Sequence, residues 1–269
     1  MTKKIFAKTP VVILAGGFGT RLSEETYLKP KPMIKIGNMP MIMHIIKFYS
    51  SYGFKNFIIL LGYKGEYIKR YFYKNKDKNN YYDVFQNKNI DTNVIPNKLT
   101  INLIKTGLHT QTGGRLKKIK DYINNDIFCM TYGDGLSDVN LNKLYKSHIE
   151  SKKLATVTAV PPPSRFGYLR LDKKNRVIRF EEKPKPSVNS KEWINGGFFI
   201  LSKKVIKYII NDNTKWEEKP LKKLSEKNEL NAYKHVGFWQ PVDTLREKKI
   251  LNEIWKTGKA PWENWKIKK

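Results

Sequence analysis

The sequence predicts an α/β fold built on a mostly parallel mixed sheet with helices on both faces. Short apolar runs rich in β-branched residues alternate along the chain with segments of helical periodicity. That alternation is typical of a parallel sheet covered on both faces. Two glycine-containing motifs, at 15–21 and 133–135, each follow a predicted strand. Because ligands of such sheets bind outside the carboxyl ends of strands, we expect a binding site there.

The predicted elements follow this alternation as far as residue 160. Strands are predicted from short runs of Val, Ile, Leu and Phe, and helices from apolar residues three and four positions apart. In chain order, we expect a strand at 11–14, a helix at 41–52, a strand at 57–61, a helix at 65–72, a strand at 99–104, a helix at 113–123, a strand at 127–132, a helix at 141–152 and a strand at 155–160.

Two segments interrupt the pattern. Residues 74–97 are rich in Asn and Lys with little periodicity, so we interpret them as a long excursion or flexible loop. Three consecutive prolines at 161–163 divide the single domain of 269 residues into two halves, about 9–160 and 161–269. The second half is predicted to contain strands at 168–171, 177–181 and 193–201, and helices at 204–210, 220–227 and 244–255.

The composition is strongly basic, with 52 Lys and Arg against 24 Asp and Glu and a net charge of +28. Such a charge is compatible with a nucleic-acid or anionic-surface partner. It is also compatible with a lysine-rich surface that arises from biased residue usage. We favour the second interpretation and expect no nucleic-acid partner, because lysine is spread along the whole chain and arginine, the usual reader of bases, is scarce.

Membrane and redox signals are weak. No stretch approaches the roughly 20 apolar residues of a membrane span, so we expect no membrane partner. The charged residues 1–9 are not followed by an apolar segment of signal-peptide length. Cys129 is a single cysteine and cannot form an internal disulfide. The simple expectation is a cytoplasmic protein.

The glycine loop after the first strand has the chemistry of a phosphate-binding site. Glycines allow backbone N–H groups to approach an anion without a Cβ in the way, and Arg21 adds a forked donor. The spacing is neither that of a P-loop nor the dinucleotide-binding fingerprint. A generic turn is the alternative. Farther along, Pro30 and Pro32 make a stiff segment that holds Lys31, and Lys29 precedes it; lysines in such a loop are also often only solvated.

Two aspartates could hold a magnesium ion. Asp134 lies between two glycines at a strand end, and it is either a turn residue or a metal ligand. Asp243 is either a second ligand or the N-cap of the last helix. The two aspartates are so far apart in the sequence that no local motif can assign them to one metal site. Asp138 is expected instead to cap the helix that begins near residue 141, and Thr112 the helix that begins near residue 113.

Several motifs along the chain resemble those of one known family. The string LAGGFGTRLSEETYLKPKPM at 14–33 resembles the signature of sugar-nucleotide pyrophosphorylases, and its SEET insert at 23–26 resembles the glucose-1-phosphate cytidylyltransferase branch. The match resumes in TGGRLKKI (112–119), TYGDGLSDV (131–139), INGGFF (194–199), GFWQPVDTLREK (237–248) and GKAPWENW (258–265). The fold implied is the Rossmann-like nucleotidyltransferase fold with a small sugar-binding C-terminal part.

The resemblance implies a reaction and its participants. An oxygen of α-D-glucose 1-phosphate would attack the α-phosphorus of CTP, giving CDP-glucose and pyrophosphate. Arg21 would neutralise the leaving pyrophosphate, Lys31 rather than Lys29 would contact the phosphates at the reacting centre, and Asp134 with Asp243 would hold Mg²⁺. A homo-oligomer and a place in lipopolysaccharide O-antigen synthesis are implied in the same way.

Further site residues are carried over from the family motifs. The implied catalytic residues are Arg21, Lys31 and Asp134. The implied nucleotide-binding residues are Leu14, Ala15, Gly16, Gly17, Gly19, Thr20, Arg21, Lys31, Thr110, Arg115 and Gly133. The implied sugar-phosphate-binding residues are Glu182, Lys183, Asn195, Gly196 and Gly197, with Trp239 nearby or simply in the core.

Two alternatives stay open. A uridylyl- or thymidylyltransferase would keep the chemistry and change the base, since base choice depends on a few hydrogen bonds. A catalytically silent sugar-nucleotide-binding regulator would be expected to lack Arg21, Lys31, Asp134 or Asp243, and all four are present.

Overall fold

The computed structural model describes residues 2–79, 82–86, 98–163, 168–181 and 192–265. It confirms the predicted α/β fold, since the described residues form an eight-stranded mixed sheet with helices on both faces. None of the helices in these ranges is long and apolar enough to cross a membrane.

The strands fall into the large sheet and three small two-stranded pairs. In chain order they are β1 (Pro10–Ala15), β2 (Lys35–Ile36), β3 (Met39–Pro40), β4 (Asn56–Leu61), β5 (Tyr82–Gln86), β6 (Leu99–Lys105), β7 (Ile127–Tyr132), β8 (Gly135–Ser137), β9 (Ala155–Val160), β10 (Tyr168–Leu171), β11 (Val177–Glu181), β12 (Ile194–Ser202), β13 (Leu230–Lys234) and β14 (Trp239–Pro241).

The α-helices are α1 (Thr2–Lys8), α2 (Ser23–Thr26), α3 (Met41–Ser51), α4 (Gly65–Asn79), α5 (Thr112–Lys118), α6 (Leu141–Ser151), α7 (Lys219–Glu226) and α8 (Leu245–Lys256). Short 3₁₀ helices cover Thr20–Leu22, Lys31–Met33, Lys120–Tyr122 and Lys203–Tyr208.

The strand order of the large sheet is β13-β9-β12-β7-β1-β4-β6-β5. β12 runs antiparallel to β7 and β9, and the other neighbours are parallel. From β1 the chain builds outward through β4 and β6, and it later returns to place β7 on the other side of β1. This reversal leaves a crevice outside the carboxyl ends of β1 and β7, which is where ligands bind in open α/β sheets.

Two hydrophobic cores cover the two faces of the sheet. Successive residues of β1 alternate between them, because side chains on a strand point to opposite faces. Val11 and Ile13 pack into one core with α3, and Val12 and Leu14 pack into the other with α5 and α7. The strands adjacent to the crevice are therefore buried on both sides and are rigid supports for the loops that follow them.

The structure corrects several element predictions. The segment 74–97 is not simply a loop, because α4 continues to Asn79 and β5 adds an edge strand; residues 80–81 and 87–97 lie outside the described ranges. The helix predicted at 113–123 ends at Lys118 and is followed by a 3₁₀ turn, and the helix predicted at 204–210 is a 3₁₀ helix. Asn140, not Asp138, caps α6 by accepting a hydrogen bond from the backbone N–H of Lys143.

Four of these elements lack a clear sequence signal. Helix α1 is held to the core largely by Phe6, which stacks on Phe54 with ring centroids 4.3 Å apart. β13 contains no fully buried residue and lies at the edge of the sheet. β8 and β14 are three residues long, and they pair only because the fold brings distant segments together.

Candidate active site

The glycine loop leaves the carboxyl end of β1 and turns sharply at Gly19, whose φ is +68°. A Cβ at Gly19 would lie 2.7 Å from the methyl group of Thr26, so both conformation and space require glycine there. The Thr26 hydroxyl donates to the Gly19 carbonyl at 3.1 Å and fastens α2 to the loop. Gly17 differs, since a Cβ there would meet no described atom within 4 Å.

Arg115 stabilises the glycine loop through hydrogen bonds. Its buried guanidinium donates to the carbonyls of Gly16 at 2.9 Å and Gly107 at 2.8 Å, and to the hydroxyl of Thr106 at 2.5 Å. Burial lowers the pKa of Arg115 to about 10, which leaves it charged at neutral pH. A Cβ at Gly16 would lie 2.4 Å from this guanidinium. Arg115 therefore lines the site but directs its donors to other groups of the protein, chiefly backbone carbonyls.

Asp134 follows β7 and is joined to Asp243 through a small ribbon. The Gly133 N–H donates to the Leu14 carbonyl at 3.0 Å, which places the end of β7 beside the glycine loop. β8 pairs with β14, and just beyond this pair the Val242 N–H donates to the Asp134 carbonyl at 2.9 Å. The antiparallel pair thus brings two carboxylates together that are distant in sequence.

The ammonium of Lys31 lies between these two carboxylates. Its Nζ is 2.5 Å from Asp134 Oδ2 and 2.7 Å from Asp243 Oδ1. Burial alone would lower the pKa of Lys31, but the hydrogen bonds and charges of both aspartates outweigh it and raise the pKa above its ordinary value. Lys31 is therefore a charged, nearly buried cation at the centre of the crevice.

Arg21 and Lys29 have different surroundings. Arg21 donates to Asp243 Oδ2 at 2.7 Å, and its side chain is 74% exposed, so it reaches the cluster from the solvent side. Lys29 instead forms an ion pair with Glu25 at 2.9 Å. Of the two lysines in the proline-flanked segment, it is Lys31 that reaches the aspartates.

Asp243 does not cap α8, although it immediately precedes the helix cap. Thr244 is the N-cap, and it forms a capping box with Glu247. The Glu247 carboxylate also accepts from the Asp243 N–H at 2.7 Å. Because the backbone at the helix start is satisfied in this way, the Asp243 side chain is available to Lys31 and Arg21.

Two cavities meet at this cluster. The first has a volume of about 380 Å³ and is lined by every residue predicted to bind the nucleotide: Leu14, Ala15, Gly16, Gly17, Gly19, Thr20, Arg21, Lys31, Thr110, Arg115 and Gly133. The second, of about 370 Å³, is lined by Asp134, Asp243 and part of β12. Arg21, Tyr132 and Asp134 line both cavities. An arrangement of this kind can hold two ligands against one charged centre.

The second cavity contains the predicted sugar-binding residues that the structure describes. Asn195, Gly196 and Gly197 lie in its wall, while Glu182 and Lys183 lie outside the described residues. Gly197 has a φ of +79°, and a Cβ there would lie 2.7 Å from the ring of Tyr132. The Trp239 indole N–H donates to the Gly196 carbonyl at 2.6 Å, so Trp239 forms part of the cavity wall.

Sequence reasoning missed two residues of this region and misjudged a third. Glu217 lines the second cavity, and Tyr132 donates to it at 2.6 Å. Thr112 does not cap α5, whose N-cap is Gln111; it donates to Glu217 at 2.6 Å. The signal for Thr112 was its place in a family motif, whereas nothing in the sequence around Glu217 indicated a site.

The two carboxylates fit a magnesium ion. Asp134 and Asp243 converge on a single cation, the Lys31 ammonium, so their oxygens already face a common point. Among the described residues, no group of three or more His, Cys, Asp or Glu side chains is arranged to hold a metal. Mg²⁺ suits a site with one or two carboxylates, because it usually completes its shell with water and substrate phosphates.

Comparisons with known proteins show the family of this chain. The nucleotidyl transferase family model matches residues 10–244. Glucose-1-phosphate cytidylyltransferase of Salmonella typhimurium is 45% identical over 94% of this chain and 98% of its own length. A Bacillus subtilis protein named "Probable glucose-1-phosphate cytidylyltransferase" is 41% identical over 94% of this chain and 99% of its own.

A solved structure is similar as well. HddC from Yersinia pseudotuberculosis is 25% identical, has a TM-score of 0.66, and the match covers 92% of this chain and 99% of HddC. The family model and the relatives that are 45% and 41% identical over 94% of this chain confirm the resemblance seen in the motifs. This chain belongs to the nucleotidyl transferase family.

Proposed function

We propose that this chain transfers a cytidylyl group from CTP to α-D-glucose 1-phosphate, giving CDP-glucose and pyrophosphate. One observation carries the proposal: two cavities of similar size meet at Lys31, Asp134 and Asp243. A triphosphate in the first and a sugar phosphate in the second would present their phosphates to the same charged cluster. The choice of CTP and glucose is supported by the relatives that share 45% and 41% of their residues with this chain.

The first cavity suits the triphosphate. Its floor is the glycine loop, where Gly17 leaves open space for close approach of an anion to the backbone. Arg21 and Lys31 supply cationic donors in its lining, and Arg21 also lines the second cavity. In the proposed complex Arg21 neutralises the pyrophosphate as it leaves, and Lys31 contacts the phosphates at the reacting centre.

The proposed reaction exchanges one P–O bond for another. A phosphate oxygen of the sugar phosphate forms a bond to the α-phosphorus, and the bond from that phosphorus to the bridging oxygen of pyrophosphate breaks with its electron pair. Both reactants are anions, so most of the catalytic benefit comes from holding them in line and neutralising their charge. Asp134 and Asp243 would hold Mg²⁺, which when bound supplies further charge neutralisation on the phosphates.

The test is pyrophosphate release from glucose 1-phosphate and Mg²⁺ in parallel reactions with CTP, UTP, dTTP, ATP and GTP. We expect release with CTP at a rate at least tenfold above the others. Release with UTP or dTTP instead would keep the chemistry and overturn the base assignment. Absence of release with all five would contradict the proposal. The homo-oligomeric state and the pathway that the resemblance implies stay predictions.

A further inference from the structure

We infer that Glu217 recognises the sugar. Its carboxylate accepts a hydrogen bond from a ring hydroxyl of the sugar phosphate and thereby determines which sugar is used. The inference rests on the proposed function, because it needs a sugar phosphate in the second cavity. None of the family motifs contains Glu217, and its assignment comes from its position and its hydrogen bonds.

The Glu217 carboxylate is oriented in the wall of the second cavity by two hydroxyl groups. Tyr132 donates to its Oε1 at 2.6 Å, and Thr112 donates to its Oε2 at 2.6 Å. An ionised carboxylate has about four lone-pair sites, so each oxygen can accept a second donor. A sugar hydroxyl in the cavity would meet an acceptor whose position is already fixed.

The backbone that carries Glu217 is also fixed. Trp216 is fully buried, and its backbone N–H donates to the Thr112 hydroxyl at 2.9 Å. The Gly114 N–H donates to the Thr214 carbonyl at 3.1 Å. This holds residues 214–217 against the first turn of α5.

Glycines at the start of α5 make this contact possible. A Cβ at Gly113 would lie 2.7 Å from the Thr214 carbonyl oxygen, and a Cβ at Gly114 would lie 2.5 Å from the Asp212 carbonyl oxygen. Side chains at either position would push the two segments apart. The glycine pair therefore serves close packing, and its consequence is a fixed position for Glu217.

The charge of Glu217 suits an orienting role. The other charged groups of the second cavity, Arg21, Asp134 and Asp243, all take part in the ion pairs around Lys31. Within the described ranges Glu217 forms no ion pair, and its two partners are neutral hydroxyls. A carboxylate in this setting attracts hydroxyl donors and repels phosphate. It favours the orientation in which the phosphate faces the charged centre around Lys31 and the ring faces Glu217.

Tyr132 donates its phenol hydrogen to the Glu217 carboxylate in this arrangement. Since Tyr132 lines both cavities, it links Glu217 to the charged centre.

The first experiment compares Glu217→Gln and Glu217→Ala with Glu218→Gln. Glu218 is the matched control, because it is the adjacent residue and does not line the second cavity. Its carboxylate forms an ion pair with Lys215 at 2.7 Å. We expect both Glu217 variants to raise the KM for glucose 1-phosphate about 10- to 100-fold, the range for hydrogen bonds to a charged acceptor. The KM for CTP should change less than about twofold, as should both constants of the control.

The second experiment uses glucose 1-phosphate analogues that lack one ring hydroxyl each. The wild-type protein should lose about 10- to 100-fold in kcat/KM on the analogue that lacks the hydroxyl bound by Glu217. Glu217→Ala should lose less than about twofold on that analogue while keeping the wild-type losses on the others. The unfolding midpoints of all variants show whether they are folded. Glu217→Gln is included because it preserves the size of the side chain and is therefore expected to disturb the fold least.

The outcomes separate this inference from the proposed function. A wild-type protein that releases no pyrophosphate from CTP and glucose 1-phosphate would overturn both. An active wild-type protein whose Glu217→Ala variant keeps every wild-type penalty on the analogues would overturn the role of Glu217 alone. An equal rise in KM for CTP and for glucose 1-phosphate would also overturn it, because it would indicate a general structural effect.

Discussion

The ammonium nitrogen of Lys31 lies 2.5 Å from a carboxylate oxygen of Asp134. The same nitrogen is 2.7 Å from Asp243, so a single cation bridges both carboxylates. A metal shared by these carboxylates would compete with the ammonium for that point. Lys31, once released from them, would be free to bind phosphate. Metal binding and phosphate binding would then favour each other through one lysine.

The first prediction concerns Lys31→Met. Turnover should fall at least about 100-fold, because removal of a charge that stabilises the transition state typically costs that much. Loss of the cation should also destabilise the protein by about 1–3 kcal/mol, since the two partly buried carboxylates lose the ammonium between them and, among the described residues, only Asp243 keeps another partner, Arg21. Mg²⁺ added without nucleotide should then raise the unfolding midpoint of the variant more than that of the wild type.

The control for this prediction is Lys29→Met, which removes the lysine paired with Glu25. It should leave the response to Mg²⁺ unchanged. Equal stabilisation of wild type and Lys31→Met by Mg²⁺ would mean that Lys31 does not compete for the carboxylates.

The second prediction compares Asp134→Asn with Asp138→Asn. Asp134→Asn should lower turnover by about 100- to 1000-fold and leave the circular dichroism spectrum unchanged, because it removes a charge at the reacting centre without changing its size. Asp138 is four residues away and pairs with His235 at 3.1 Å, so its variant should retain most activity. Wild-type turnover in Asp134→Asn would exclude it as a metal ligand.

The third prediction separates packing from ligand approach in the glycine loop. Gly16→Ala should destabilise the protein by about 1–3 kcal/mol, because its methyl group meets the Arg115 guanidinium. Gly17→Ala should leave the free energy of unfolding unchanged and raise the KM for CTP at least about tenfold, if phosphate approaches the backbone there. Chemical denaturation and steady-state kinetics on both variants provide the comparison; a Gly17→Ala variant with normal kinetics would contradict this role.

The fourth prediction is a pH dependence of stability through Glu25, which joins α2 to α8. A hydrogen bond from Lys248 lowers the pKa of Glu25 below its ordinary value, although burial acts in the opposite direction. The unfolded chain therefore binds the proton more tightly, and the contribution of Glu25 is present above the ordinary pKa and is lost as the pH falls through the lowered one.

Glu25→Gln should accordingly destabilise the protein by about 1 kcal/mol at neutral pH and by less as the pH falls below 4.5. The exposed neighbour Glu24 provides the control, as Glu24→Gln should show little effect at any pH. A stability difference for Glu25→Gln that is the same at pH 7 and pH 3 would rule out this linkage.

Much of the fold follows from local signals in the sequence. The strands β1, β4 and β7 are runs of apolar residues that are buried on both faces, and each is predicted within one residue of its observed ends. Segments whose structure depends on a distant partner are harder to predict from the sequence. β8 and β14 have three residues each and are recognisable only as a pair, and α1 depends on the contact between Phe6 and Phe54.

The candidate site also contains residues with a local sequence signal and residues whose position depends on distant partners. The glycine loop and Asp134 could be predicted because each follows a strong strand at the sheet edge where ligands bind. The direction of the Arg115 side chain could not be, because its acceptors lie on loops that are separate in sequence. Glu217 was missed for a related reason: its partners, Tyr132 and Thr112, belong to other elements.

The most direct test of the proposed chemistry uses glucose 1-phosphate labelled with ¹⁸O in the oxygen that joins C1 to phosphorus, together with CTP and Mg²⁺. Attack by a phosphate oxygen on the α-phosphorus leaves the C1–O bond intact. We therefore predict CDP-glucose that retains the label and unlabelled pyrophosphate, formed in equal amounts and detected by mass spectrometry. Loss of the label from CDP-glucose, or failure to form it, would contradict the account.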